Sequence, residues 1–207
     1  MSSVMKHLRK AIAVLAAIAI PTTALAVPAF ASTGATIAET AIAVSSADGF
    51  DDQGGDFDLL IQALVAADLV DAVADVDAEL TVFAPTDQAF VRLARDLGFG
   101  ASGYDEAGAF EFIVEQLTVL GDGDPIPVLT DVLLYHVSPG RTFYGELRGE
   151  STEIPTLLGA SFTANGRVLV DGAPGLDDPR IMNPLTDVEA SNGVIHGINR
   201  VLIPLDI

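Results

Sequence analysis

Two histidines lie beyond residue 31, His136 and His196, and they are the side chains best suited to proton transfer near neutral pH. A zinc hydrolase needs two or three His, Asp or Glu ligands at helical or hairpin spacing, and neither HExxH nor HxH occurs. A serine hydrolase of the α/β type needs a GxSxG nucleophile elbow, which is also missing. No spacing supplies an activated nucleophile beside a tuned acid–base pair, so a hydrolase is the weakest functional reading. Tyr135 and His136 stand side by side among Leu133, Leu134 and Val137. Such neighbours favour a core position in which the imidazole is hydrogen-bonded to backbone or hydroxyl groups, and His196, inside an apolar run, reads the same way.

Carboxylates are the other candidates. Three clusters place hard oxygen donors in glycine-rich loops, the ligand type that calcium takes: Asp48, Asp51, Asp52 and Asp56; Asp122 and Asp124; Asp171, Asp177 and Asp178. None has the twelve-residue EF-hand spacing. Each is therefore read as a solvated loop with at most weak calcium affinity, and no cofactor is assigned.

The charges are unevenly placed. Lys6, Arg9 and Lys10 precede an apolar run from Ala11 to Ile20, no acid appears before Glu39, and Ala29-Phe30-Ala31 offers a small-residue cleavage site. That is the pattern of a secretory signal peptide over residues 1–31. The run is too short, and too interrupted by Pro21 and Pro28, for a spanning helix. Its removal leaves seven Arg, no Lys and 29 acids, a net charge of −22 where the whole chain carries −19. Such a surface repels phosphate backbones and anionic bilayers, which argues against nucleic-acid binding and against direct membrane insertion. With no Cys, disulfides, thiolate metal sites and a lipoprotein anchor are ruled out. The expectation is an exported protein in the periplasm or the extracellular medium.

These residues need elements to position them. Residues 32–55, rich in Ala, Ser, Thr and Gly, read as a flexible acidic lead-in, with the folded domain over 56–207. Helical spacing of apolar residues covers 56–70, then 86–97 with Thr86 as N-cap and Gly98 as stop, then 105–120 and 128–135. The final third changes period. Residues 161–170 read as a hairpin about Asn165-Gly166, and 185–203 as a second about Asn192-Gly193, both with type I′ turns. Val194-Ile195 and Val201-Leu202-Ile203 do not alternate, so the last strand is buried on both faces or bulged. Helices followed by hairpins predict an α+β domain on a mainly antiparallel sheet.

Three segments together carry a family resemblance. Residues 81–90 (TVFAPTDQAF) resemble the first signature of the fasciclin domain family, 132–137 (VLLYHV) its central Tyr-His element, and 192–204 (NGVIHGINRVLIP) its second signature. The signature residues are Thr81, Phe83, Ala84, Pro85, Thr86, Asp87 and Phe90, then Asn192, Gly193 and His196. Residues 98–127 are an insertion of the kind found in longer bacterial members, and no Arg-Gly-Asp tripeptide is present.

The resemblance implies a compact wedge: a small β-sandwich with helices packed along it. It also implies a secreted adhesion or protein-interaction module that binds a protein or cell-surface partner. Tyr135 and His136 are its interaction candidates, while the signature residues are mainly folding devices. The competing reading is a carrier or sensor of a small apolar ligand in a cleft between helices and sheet.

Overall fold

A computed structural model of the protein describes residues 34–45, 49–51 and 53–204. The expected signal peptide lies outside the described residues. The first element among the described residues is a helix, α1 (Ile37–Val44), within the stretch that the sequence predicts to be a flexible lead-in. Thr36 and Glu39 form a capping box: the Thr36 hydroxyl accepts from the Glu39 amide and the Glu39 carboxylate accepts from the Thr36 amide. Ile37, Ala38 and Ala41 are then buried against the core, and that burial holds so short a helix.

Helix α2 (Asp58–Ala66) ends earlier than expected. Asp68 adopts the left-handed conformation at φ 58° and the Leu69 amide returns to the Leu64 carbonyl. A short α3 (Val70–Ala74) follows, and then β1 (Leu80–Pro85), α4 (Asp87–Asp96), α5 (Glu106–Leu120) and α6 (Ile126–Tyr135). Asp105 caps α5 by accepting from the Gly108 amide. The remaining elements are β2 (Val137–Pro139), α7 (Tyr144–Leu147), β3 (Thr152–Pro155), β4 (Ser161–Asn165), β5 (Val168–Val170), β6 (Val188–Ala190) and β7 (Gly193–Ile198).

The strands form two sheets, β2-β1-β7-β6 and β3-β4-β5. The central pair β1–β7 is parallel, Leu80 facing Gly193 and Pro85 facing Ile198, so the larger sheet is mixed and not simply antiparallel. Both central strands are buried along their whole length, which explains why β7 does not alternate in sequence. Leu80, Val82, Ala84 and Ile195 face a cluster shared with the helices, while Phe83 and Ile198 face a second cluster with Tyr135, Leu147, Phe162 and Leu169 between the sheets. An α+β wedge with a small sandwich and packed helices is the result.

Both hairpin turns differ by one residue from the sequence expectation. Asn165 pairs with Val168, so the first turn is Gly166-Arg167, and Gly166 alone has a positive φ (63°), as a II′ turn requires. Ala190 pairs with Gly193, so the second turn is Ser191-Asn192. Gly193 is needed for a different reason: a Cβ there would collide with the Leu80 carbonyl oxygen on the adjacent strand.

Candidate functional site

Tyr135 and His136 close helix α6 and point inward. Each is 2% exposed. The Tyr135 hydroxyl donates to the Ser161 carbonyl at 3.1 Å, and its ring meets Phe162 edge-on at 5.8 Å. His136 Nδ1 lies 2.7 Å from the Val132 carbonyl, and its Nε2 accepts from the Leu202 amide at 2.9 Å. An acceptor Nε2 fixes the neutral tautomer with hydrogen on Nδ1. Burial pushes the His136 pKa down to about 4, against the opposing pull of the Val132 carbonyl. Neither side chain offers a surface for a partner, which removes direct contact at this element. Its work is to tie α6 to the segment that follows β7.

The second signature is buried as well. His196 Nε2 lies 2.9 Å from the Thr142 carbonyl and Nδ1 accepts from the Asp187 amide at 3.3 Å, so it too is a neutral strut, its pKa lowered chiefly by burial. Asn192 is not a conformational turn residue. Its side-chain oxygen accepts from the Ile37 amide at 2.8 Å, and its NH₂ donates to the Val73 and Asp75 carbonyls. One amide thus fastens the start of α1 to the end of α3. In the first signature, Thr81 donates to the Gly140 carbonyl and accepts from the Thr142 amide, while Phe83, Ala84 and Phe90 are core.

Thr86 occupies the N-cap position of α4, but its hydroxyl makes no cap bond and is buried without a partner. The loop before α2 does the capping instead: the Asp87 amide donates to the Asp56 carbonyl at 3.0 Å and the Gln88 amide to the Gly54 carbonyl at 2.9 Å. In return the Asp87 carboxylate accepts from the amides of Asp58 (3.0 Å) and Leu59 (2.8 Å) at the start of α2. Two helix starts cap each other.

An acidic group converges at this junction. Asp56, Asp87 and Glu106 are all buried, and one carboxylate oxygen from each lies within 4.8 Å of the other two. Asp51 and Asp58 share Glu106 as a neighbour. Glu106 accepts from the Asp51 amide and the Tyr104 hydroxyl, both at 2.7 Å. Burial raises the pKa of Asp87 far above the carboxylate range, reinforced by the hydrogen bond it shares with Asp56, and burial raises Glu106 and Tyr104 in the same direction. The sequence showed only part of this group, since Asp51 and Asp56 stand in an apparently solvated run while Asp87 and Glu106 lie on separate helices.

The other calcium candidates are spread apart. Asp171 accepts from the Ala173 and Ile203 amides, Asp177 pairs with Arg200 at 2.6 Å, and Asp124 accepts from the Ile126 amide. Asp122 and Asp178 are exposed. Among the described residues none of these five belongs to a cluster able to share an ion.

A wedge of this topology with both signatures in its central strands is matched by the family model for the fasciclin domain over residues 55–204. The chain belongs to the fasciclin domain family. It is similar to two proteins of Synechocystis sp. (strain ATCC 27184 / PCC 6803 / Kazusa). With Protein sll1483 it is 34% identical over 151 residues, covering 72% of this chain and 67% of that protein. With the uncharacterized protein sll1735 it is 30% identical over 147 residues, covering 71% and 89%. Among solved structures it resembles a FAS1 domain pair from the insect cell adhesion molecule fasciclin I, with a TM-score of 0.55 at 15% identity, over 83% of this chain and about half (51%) of that one. That likeness establishes the fold. Fasciclin domains occur in cell adhesion proteins and are generally non-catalytic modules. Among the described residues no helix is long and apolar enough to cross a membrane.

Proposed function

We propose that this protein is an exported, non-enzymatic adhesion module that binds a protein or cell-surface partner through the inserted region 98–127. The supporting observation is at the end of α5, where Val119 (72% exposed) and Leu120 (54%) present adjacent large apolar side chains to solvent. Glu115 and Glu111, one and two turns back from Val119, and Asp122 and Asp124 in the following loop give this apolar spot an acidic rim. The partner it fits carries an apolar groove edged by Lys or Arg. Export rests on the signal-peptide pattern of residues 1–31, and N-terminal sequencing of the exported protein should begin at Ser32.

The test is attachment of labelled protein to intact cells of the producing organism. Val119→Ser with Leu120→Ser should abolish attachment while thermal stability stays unchanged, because both side chains stand outside the core. Attachment at the wild-type level would sink this reading. The carrier alternative gains nothing from the apolar cavity among the described residues that is lined by Ile37, Leu60, Val73, Leu133 and His136, whose volume of about 30 Å³ is far below a ligand pocket.

A further inference from the structure

We propose that Asp56, Asp87 and Glu106 form a binding site for a calcium ion, a role separate from the interaction face on α5. The geometry has three parts. First, the three carboxylate oxygens lie within 4.8 Å of one another, the span of donors on opposite sides of an ion bound at about 2.3–2.6 Å. Magnesium, with bonds of about 2.0–2.1 Å and a reluctance to shed water, fits that span less well.

Second, one oxygen of the group has no other use. Asp56 Oδ1 is buried without a hydrogen-bond partner on a residue only 8% exposed, and the Thr86 hydroxyl, one residue before Asp87, is likewise buried and unpartnered. A buried oxygen without a donor is costly, and a cation would satisfy it together with the neighbouring carboxylates. Third, no positive side chain does so: among the described residues no arginine pairs with Asp56, Asp87 or Glu106.

The site is also pre-organised. Asp87 is held by the Asp58 and Leu59 amides and Glu106 by the Asp51 amide and the Tyr104 hydroxyl. Each of those oxygens accepts one of these amide or phenol hydrogen bonds, and loss of the proton from the hydrogen bond that Asp87 shares with Asp56 frees lone pairs for an ion. A groove lined by Val44, Ser45, Gln53 and Gly54 opens beside Asp56 and provides a route in.

The experiment uses the exported chain at constant ionic strength and pH. Calcium at ten times its Kd should raise Tm by about 3–6 °C over the protein in EDTA. Asp56→Asn should lose that rise, and Asp122→Asn, in an exposed loop, should keep it. A second readout uses terbium, an oxygen-seeking ion that emits when excited through a nearby tyrosine. Of the three tyrosines only Tyr104 touches a ligand, so Tyr104→Phe should extinguish the emission. Emission that survives in Tyr104→Phe overturns the proposal, even if Asp56→Asn does not fold. So does a calcium response equal in wild type and Asp56→Asn, or no response at all, which would mean that a proton shared by Asp56 and Asp87 already meets the group's needs.

Discussion

Asp56 and Asp87 hold each other's helices in place: the Asp87 amide donates to the Asp56 carbonyl at 3.0 Å, and the Asp87 carboxylate receives the first amides of the helix that Asp56 precedes. The relationship reassigns a signature residue. Asp87 reads in sequence as the acidic first turn of its own helix, yet it works on a neighbour 29 residues earlier in the chain. Thr86 reads as a hydroxyl cap, yet the chain before α2 has taken that job.

The two residues should therefore respond oppositely to mutation. Asp87→Ala leaves two buried amides without acceptors and should destabilise the protein by about 1–3 kcal/mol. Thr86→Val replaces an unpartnered hydroxyl with a methyl of the same shape and should be neutral or stabilising. Urea denaturation of both variants checks the pair; equal losses would contradict the assignment.

His136 sets a pH dependence whose sign is fixed by its burial. Its folded-state pKa of about 4 lies below the ordinary value of 6.5, so the unfolded chain binds more protons between those limits. The stability it contributes is present above pH 6.5 and is lost as pH falls towards 4, by a total of about 3 kcal/mol. His196, depressed in the same direction, adds to the loss. Denaturation from pH 7 to 4 should show this acid limb, and His136→Gln should flatten it relative to wild type.

Gly193→Ala should be among the most damaging single methyl additions. Its Cβ would meet the Leu80 carbonyl and force apart the central β1–β7 pair, at a cost of about 1–3 kcal/mol or more. Gly145→Ala, in α7 with open space around it, should instead be neutral or gain up to about 1 kcal/mol. Thermal melts of the two variants make the comparison.

Asn192→Ala removes the amide that bridges Ile37, Val73 and Asp75. The expected outcome is a local one: hydrogen exchange across 37–44 should accelerate well before global stability is lost. Protection of α1 unchanged from wild type would show that apolar packing alone holds it.

Much of the fold is legible in the sequence because it rests on local patterns. The stripe of Phe90, Leu93 and Ala94 marks α4, and Phe110 and Ile113 mark α5. What was not legible is non-local. Asn192-Gly193 suggests a turn by composition, but Asn192 is chosen for three partners at least 117 residues away and Gly193 for the backbone of β1. The parallel pairing of β1 with β7 leaves no periodic trace beyond two uniformly apolar strands. Helix α1 did carry a signal, the capping box Thr36-Ile37-Ala38-Glu39, which alanine-rich surroundings obscured. The buried acidic group was hidden because Asp51 and Asp56, Asp87, and Glu106 come from three separate stretches, and only folding reveals that they share one space.

The pairing of β1 with β7 also governs when the protein can acquire its structure. Leu80 waits for Gly193, so the centre of the larger sheet cannot assemble until more than a hundred further residues have been synthesised (193 − 80 = 113). Closing so long a loop before its contacts can form is entropically slow, and folding is expected in the range of milliseconds to seconds and not microseconds. A growing chain lacking residues 193–204 leaves β1 without its central neighbour and His136 without the Leu202 amide. Such a chain stays pliable until the β7 segment arrives, so the two signatures, far apart in sequence, become ordered together.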